Sequence, residues 1–167
     1  MKQLLITIAA VVLVGCGESQ PPARPTAKAP DISIHSAASN GNIEAFKQHI
    51  AAGTNVNEVD PSTGMTPLHN AARSKSSDKK IVELLIANGA HVNAGDILRR
   101  TPLHMATLMG HKELAELLIT KGADINVRNS YGETPIDWAI EHKQTEIADL
   151  LRKHGGKTGE ELKAEGN

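Results

Sequence analysis

One four-residue phrase dominates the chain: Thr66-Pro67-Leu68-His69 is repeated as Thr101-Pro102-Leu103-His104, and a degraded copy follows at Thr134-Pro135-Ile136-Asp137. Each copy leads to a glycine, at Gly89, Gly122 and Gly155, with an earlier counterpart at Gly53, and the last two glycine intervals are each 33 residues. A fixed period of that size argues against a single conventional core. Each unit is one supersecondary piece, too small to bury its own apolar face, and it becomes stable only when neighbours stack on it. The chain therefore reads as a solenoid, which offers an extended surface.

Every element of the repeat has a local physical role. Thr66, Thr101 and Thr134 are candidate helix N-caps, and the proline after each suits the first helical position, where no backbone N–H is required. Gly110 ends the first helix of the third repeat. The segment that follows it places Leu114, Leu117 and Leu118 on one face, matched by Ile81, Leu84 and Leu85 before it and Ile147, Leu150 and Leu151 after it. Gly89, Gly122 and Gly155 fall where a helix end takes a left-handed residue. Both helices of a repeat are shorter than the ~12 to 15 residues an isolated helix needs in water. Small residues such as Ala71, Ala72, Ala106 and Ala139 allow close helix pairing, and the core is aliphatic, because Phe46, Tyr131 and Trp138 are the only aromatic residues.

The motif and its period resemble the ankyrin repeat. The resemblance covers residues 31–156, in repeats at about 31–63, 64–98, 99–131 and 132–156, and implies an all-α solenoid of helix–turn–helix units with short hairpin loops. The first repeat lacks Thr-Pro and reads as an N-terminal cap. The fourth carries Asp137 and Trp138 and reads as the C-terminal cap, running into a polar tail at residues 157–167. Extra residues between Ala72 and Ile81 lengthen one interhelical turn, and a further insertion around residues 61–64 enlarges the first hairpin. The resemblance also implies that His69 and His104 tie adjacent repeats together by hydrogen bonds.

The first thirty residues speak to location. Lys2 precedes an apolar run, residues 4–14, too short to span a bilayer and suited to the hydrophobic region of a signal peptide, residues 1–15. The run ends Leu13-Val14-Gly15-Cys16, which resembles the lipobox of bacterial lipoproteins, and Cys16 is the only cysteine. That resemblance implies cleavage before Cys16, a diacylglycerol on its thiol and an acylated amino group, enough chains for stable anchoring. An incidental thiol and an uncleaved anchor helix are the alternatives. Residues 16–30 are rich in proline and alanine and read as a tether. At ~3.1 Å per residue it reaches about 40 Å from the lipid. Gly17, in place of the aspartate that marks inner-membrane retention in such lipoproteins, points to the outer membrane, facing the periplasm.

Chemistry is sparse. A net charge of −1 without a basic face argues against nucleic acid. His35, His49, His91, His111, His142 and His154 lack metal-ligand spacing, and no paired cysteines or acidic calcium loop are present, so no metal or cofactor is expected. There is no Gly-x-Ser-x-Gly nucleophile and no phosphate-cradling loop. The expectation is a monomeric, non-catalytic, membrane-tethered adaptor that binds another protein. The alternative is an immunity protein that neutralises a toxin or hydrolase in the periplasm, and an envelope enzyme is the least supported reading.

Ankyrin arrays bind through hairpin tips and the exposed side of the first helices. That register nominates Met65, Arg73, Ile97, Leu98, Arg100, Leu108, Met109, Tyr131 and Glu133 as partner-binding residues. The third repeat stands out, since Ile97 and Leu98 occupy a tip that is usually polar and Leu108 and Met109 precede Gly110. Together with Tyr131 they read as an apolar hot-spot patch; the alternative is that Leu98 and Leu108 fold inward as core.

Overall fold

The computed structural model describes residues 28–76 and 78–166. The signal peptide, the lipobox with Cys16 and most of the tether lie outside the described residues. Four helix pairs follow one another: α1 (Ile34–Ser39) with α2 (Ile43–Ala51), α3 (Pro67–Arg73) with α4 (Lys79–Ala87), α5 (Pro102–Leu108) with α6 (Lys112–Thr120), and α7 (Pro135–Glu141) with α8 (Thr145–Lys153). Helices α1, α3, α5 and α7 stack in one row, while α2, α4, α6 and α8 form a second. No strands are assigned among the described residues, so the fold is the all-helical ankyrin-type solenoid.

The Thr-Pro start works as its chemistry demands. Thr66, Thr101 and Thr134 are extended N-cap residues with proline just inside each helix, and each closes a capping box with the side chain three residues on: His69, His104 and Asp137. At the other end of each repeat Gly53, Gly89, Gly122 and Gly155 adopt positive φ, the left-handed conformation that stops a helix. The helices run six to nine residues, so packing rather than propensity holds them. Leu68, Leu85, Leu103, Leu118, Ile136 and Leu151 are fully buried in one continuous core, each contributing ~1.5 to 3 kcal/mol by leaving water. Alanines at 37, 38, 71, 72, 106 and 139, all about 0–1% exposed, let the first-row helices approach closely.

Two polar ladders lock neighbouring repeats. In the first, His35, His69 and His104 reach the next hairpin, with Nε2 lying 3.1 Å from Met65 O, 2.8 Å from Arg100 O and 3.3 Å from Glu133 O. For His69 and His104 the tautomer follows from these partners. A carbonyl only accepts and the backbone N–H of Thr66 or Thr101, 3.1 Å from Nδ1, only donates, so the proton sits on Nε2. In the second ladder, Asn57, Asn93 and Asn126 donate from Nδ2 to the C-terminal glycine carbonyls of Gly89, Gly122 and Gly155, while Oδ1 of each accepts from His91, Asp124 or Lys157 N–H.

The structure shows two features that the sequence did not announce. Residues 157–167 are more than a polar tail: α9 (Gly159–Ala164) has its own Thr158–Glu161 capping box and buries Leu162. Its start is fixed by Gly159 N–H donating to Asp137 Oδ2, and Thr134 Oγ1 donates to Lys157 O. His35, His49 and His111 also have defined work. His49 bridges Thr54 Oγ1 and Ile32 O, and His111 Nε2 donates to Ser74 O, pinning the lengthened α3–α4 turn to the third repeat.

Candidate functional site

The hairpins that project between repeats are organised by one side chain each. Asp60 Oδ1 accepts from Ser62 and Thr63 N–H, Asp96 Oδ1 from Leu98 and Arg100 N–H, and Asn129 Oδ1 from Tyr131 and Glu133 N–H. These turns are what short polar side chains build when they satisfy the backbone locally. Each hairpin is closed by a backbone bond, Asp60 to Met65, Asp96 to Arg100 and Asn129 to Glu133, and neighbouring tips are tied by Ile97 N–H to Thr63 O and Ser130 N–H to Leu98 O. The three tips therefore form one linked edge.

The carboxylates in this edge are electrostatically committed. Hydrogen bonds from Ser62 and Thr63 hold Asp60 down to a pKa of about 2. Burial of Asp96 would raise its pKa, but the Arg100 side chain and the N–H groups of Arg100 and Leu98 outweigh it and the net shift is downward. Glu133 is lowered by the Trp138 indole N–H, which donates at 2.8 Å, and by the Asn129 amide at 2.8 Å. Burial pushes His104 down to about 4 and lowers His69 as well.

Nine residues were nominated for partner binding, and the structure sorts them. Met65 is only 4% exposed and belongs to the core, because the residue before the Thr cap turns inward as the hairpin closes on Asp60. Leu108 is half-buried and packs on the core, while Leu98 and Met109 are half-buried. Arg100 is engaged with Asp96, with Nε 2.7 Å from Oδ2, and Glu133 with Trp138 and Asn129; both brace their own hairpins. Arg73 is exposed at the end of α3. Ile97 and Tyr131 remain, at 64% and 71% exposed on adjacent tips.

Two features escape a reading of the sequence by motif. Arg99 has φ 59° at the hairpin position that Gly64 (φ 68°) and Gly132 (φ 82°) fill in the neighbouring loops. A side chain there costs ~1 kcal/mol relative to glycine. Comparison of the three loops in register was the available signal. Ile140 is the other feature. Its register equivalents Ala38, Ala72 and Thr107 are fully covered by the next repeat, whereas Ile140 is 54% exposed because, among the described residues, no further first-row helix packs on α7.

Among the described residues no cluster of three or more His, Cys, Asp or Glu is placed to hold a metal ion, and no helix is long and apolar enough to cross a membrane. Stacked helix pairs, His and Asn ladders and linked hairpin tips define a repeat protein whose variable surface lies on its loops. Residues 34–129 and 99–161 match the family described as ankyrin repeats (3 copies), and the chain belongs to that family. Relatives include the ARF GTPase-activating protein GIT1 of Homo sapiens, 38% identical over 86 residues, covering 52% of this chain and 11% of that protein. The Arf-GAP with coiled-coil, ANK repeat and PH domain-containing protein 2 of Gallus gallus is 37% identical over 83 residues, 49% of this chain and 10% of its own length. A putative ankyrin repeat protein of fowlpox virus, FPV018, is 35% identical over 78 residues, 47% of this chain and 11% of its own. The chain thus matches only about a tenth of each relative. The GTPase-activating function in the first name belongs to that protein. Ankyrin repeats are protein-interaction modules, and no enzymatic activity is indicated for this chain.

Proposed function

We propose that the chain is a non-catalytic, monomeric adaptor, anchored by lipid on Cys16 to a bacterial envelope membrane and binding another protein in the periplasm. The binding reading is carried by the solvent-facing pair Ile97 and Tyr131 on adjacent hairpin tips. Large apolar side chains held open on a rigid, internally hydrogen-bonded edge are what a protein partner covers, and tyrosine is over-represented among residues that dominate binding energy. The location rests on Leu13-Val14-Gly15-Cys16, the short apolar run before it and the single cysteine. The animal and viral relatives match over about half of this chain. They bear on the repeats rather than on the compartment.

The test uses the full chain expressed in a Gram-negative host. Wild type should fractionate with the outer membrane and carry an acylated Cys16, whereas Cys16→Ser should be released from it. Recovery of Cys16→Ser in the same membrane fraction would overturn the anchor. For binding, Ile97→Asp combined with Tyr131→Asp should retain the helical signal and melting temperature yet lose a crosslinked envelope partner. Each side chain is expected to contribute ~2 kcal/mol if it is a hot spot. Undiminished capture by the double variant would move the binding surface elsewhere.

A further inference from the structure

We infer that the lengthened turn between α3 and α4 forms an anion-binding recess that takes a carboxylate from an acidic peptide segment, a contact separate from the hairpin edge. The turn spans residues 74–78, five residues where the turns at 40–42, 109–111 and 142–144 use three. A recess of about 500 Å³ opens beside it, lined by Ser39, Asn40, Arg73, Ser74, Lys75 and Ser76, two cationic side chains and no carboxylate. Arg73 and Lys75 are exposed, and neither forms an ion pair with a described residue. The one acid in the turn, Asp78, caps α4, its Oδ1 accepting from Lys80 N–H at 2.9 Å. Like charges on one wall repel each other, and an anion seated between them turns that repulsion into attraction.

A surface insertion costs little in loop entropy and is ordinarily left loose. This one is pinned from both sides. Ser74 is 8% exposed; its Oγ donates to Ser39 O in the first repeat, and its carbonyl accepts from His111 Nε2 in the third at 2.7 Å. Ser76 N–H donates to Ser74 Oγ at 3.3 Å, so the backbone that carries Lys75 is held between two bonded residues. Cations on a fixed backbone lose less freedom on binding than cations on a loose loop. The Arg73 guanidinium matches a carboxylate in two-point geometry, and the hydroxyls of Ser39 and Ser76 and the amide of Asn40 share its wall. Beyond the recess cations are interspersed with acids, since Lys47 is paired with Glu44 and Lys80 lies beside Glu83. A confined pair of cations on a chain of net charge −1 fits a peptide, where nucleic acid or an anionic bilayer would call for a broad basic face.

The probe is a pair of nonapeptides of Ser, Thr and Gly carrying either two central Glu or two central Gln, titrated at low salt into the isotope-labelled full chain and followed by nuclear magnetic resonance. The Glu peptide should bind about tenfold more tightly and shift the backbone signals of Asn40, Lys75 and Ser76. Arg73→Gln with Lys75→Gln should abolish that preference. Lys121→Gln with Lys153→Gln, which removes the same charge from exposed positions at the ends of α6 and α8, should leave it intact. Arg73→Glu with Lys75→Glu should transfer the preference to a peptide with two central Lys. Neither Arg73 nor Lys75 braces a described residue through an ion pair, so the Gln variant should keep the wild-type melting temperature, and a reversed preference in the Glu variant requires a folded recess. Equal affinity for the Glu and Gln peptides, an unchanged preference in Arg73→Gln with Lys75→Gln, or an equal loss in the α6 and α8 control overturns the inference. So does tighter binding of single-stranded DNA or phosphatidylglycerol vesicles that is lost in the same variant. Ile97→Asp with Tyr131→Asp should bind the Glu peptide as wild type does; loss there would place the peptide on the hairpin edge and overturn the recess while leaving the hairpin-edge reading standing.

Discussion

Arg99 and His104 show how single residues set the energetics of this array. Replacing Arg99 by glycine should raise stability by ~1 kcal/mol, a melting shift of a few degrees, because φ 59° suits glycine and no described partner is lost. Urea unfolding measures it, and an unchanged or lower midpoint would contradict the strain. His104 makes stability depend on pH. Burial lowers its folded pKa from 6.5 to about 4, so the unfolded chain binds the proton more readily. Its contribution is complete above the unfolded value near 6.5, is lost as pH falls from there through about 4, and is flat below. The span is on the order of 3 kcal/mol for a shift of this size. The advantage of wild type over His104→Gln should therefore shrink between about pH 7.5 and about pH 4.5. A constant advantage across that range would show that the buried imidazole does not titrate as its surroundings require.

At the scale of elements, the Thr-Pro starts, the glycine stops and the leucine faces were legible in the sequence because each depends on a local rule. A proline at the first helical position, a glycine at positive φ and apolar residues at helical spacing need no tertiary knowledge. Helix α9 was not legible, since a run of Gly, Glu and Lys with one leucine has little apolar face. It forms because Asp137 and Thr134 of the fourth repeat offer partners to Gly159 N–H and Lys157 O, and Arg152 pairs with Glu161 at 2.6 Å. The inward turn of Met65 and the half-burial of Leu98, Leu108 and Met109 were hidden for a similar reason: exposure of a hairpin residue depends on how the loop closes on its Asp or Asn. Truncation after Lys157 should destabilise the last repeat by ~1 to 3 kcal/mol. Hydrogen exchange would show it as faster exchange in α7 and α8 with little change in α1 to α4, whereas uniform loss would mean that the array unfolds as one unit.

For the whole molecule, the residues that hold the fold and those proposed to bind a partner occupy different places. The motif residues that make the fold recognisable, Thr66, His69, Thr101 and His104, are 0–4% exposed and are spent on caps and inter-repeat bonds. What faces outward is what does not repeat: Ile97, Arg99 and Tyr131 on the linked hairpin edge. This edge is the proposed binding surface, and site-specific photocrosslinking in living cells puts it to the test. A benzophenone side chain at position 97 or 131 of the full chain should capture a discrete partner, while one at position 116, exposed on α6 on the opposite row, should not. Capture from position 116 with none from 97 or 131 would contradict it.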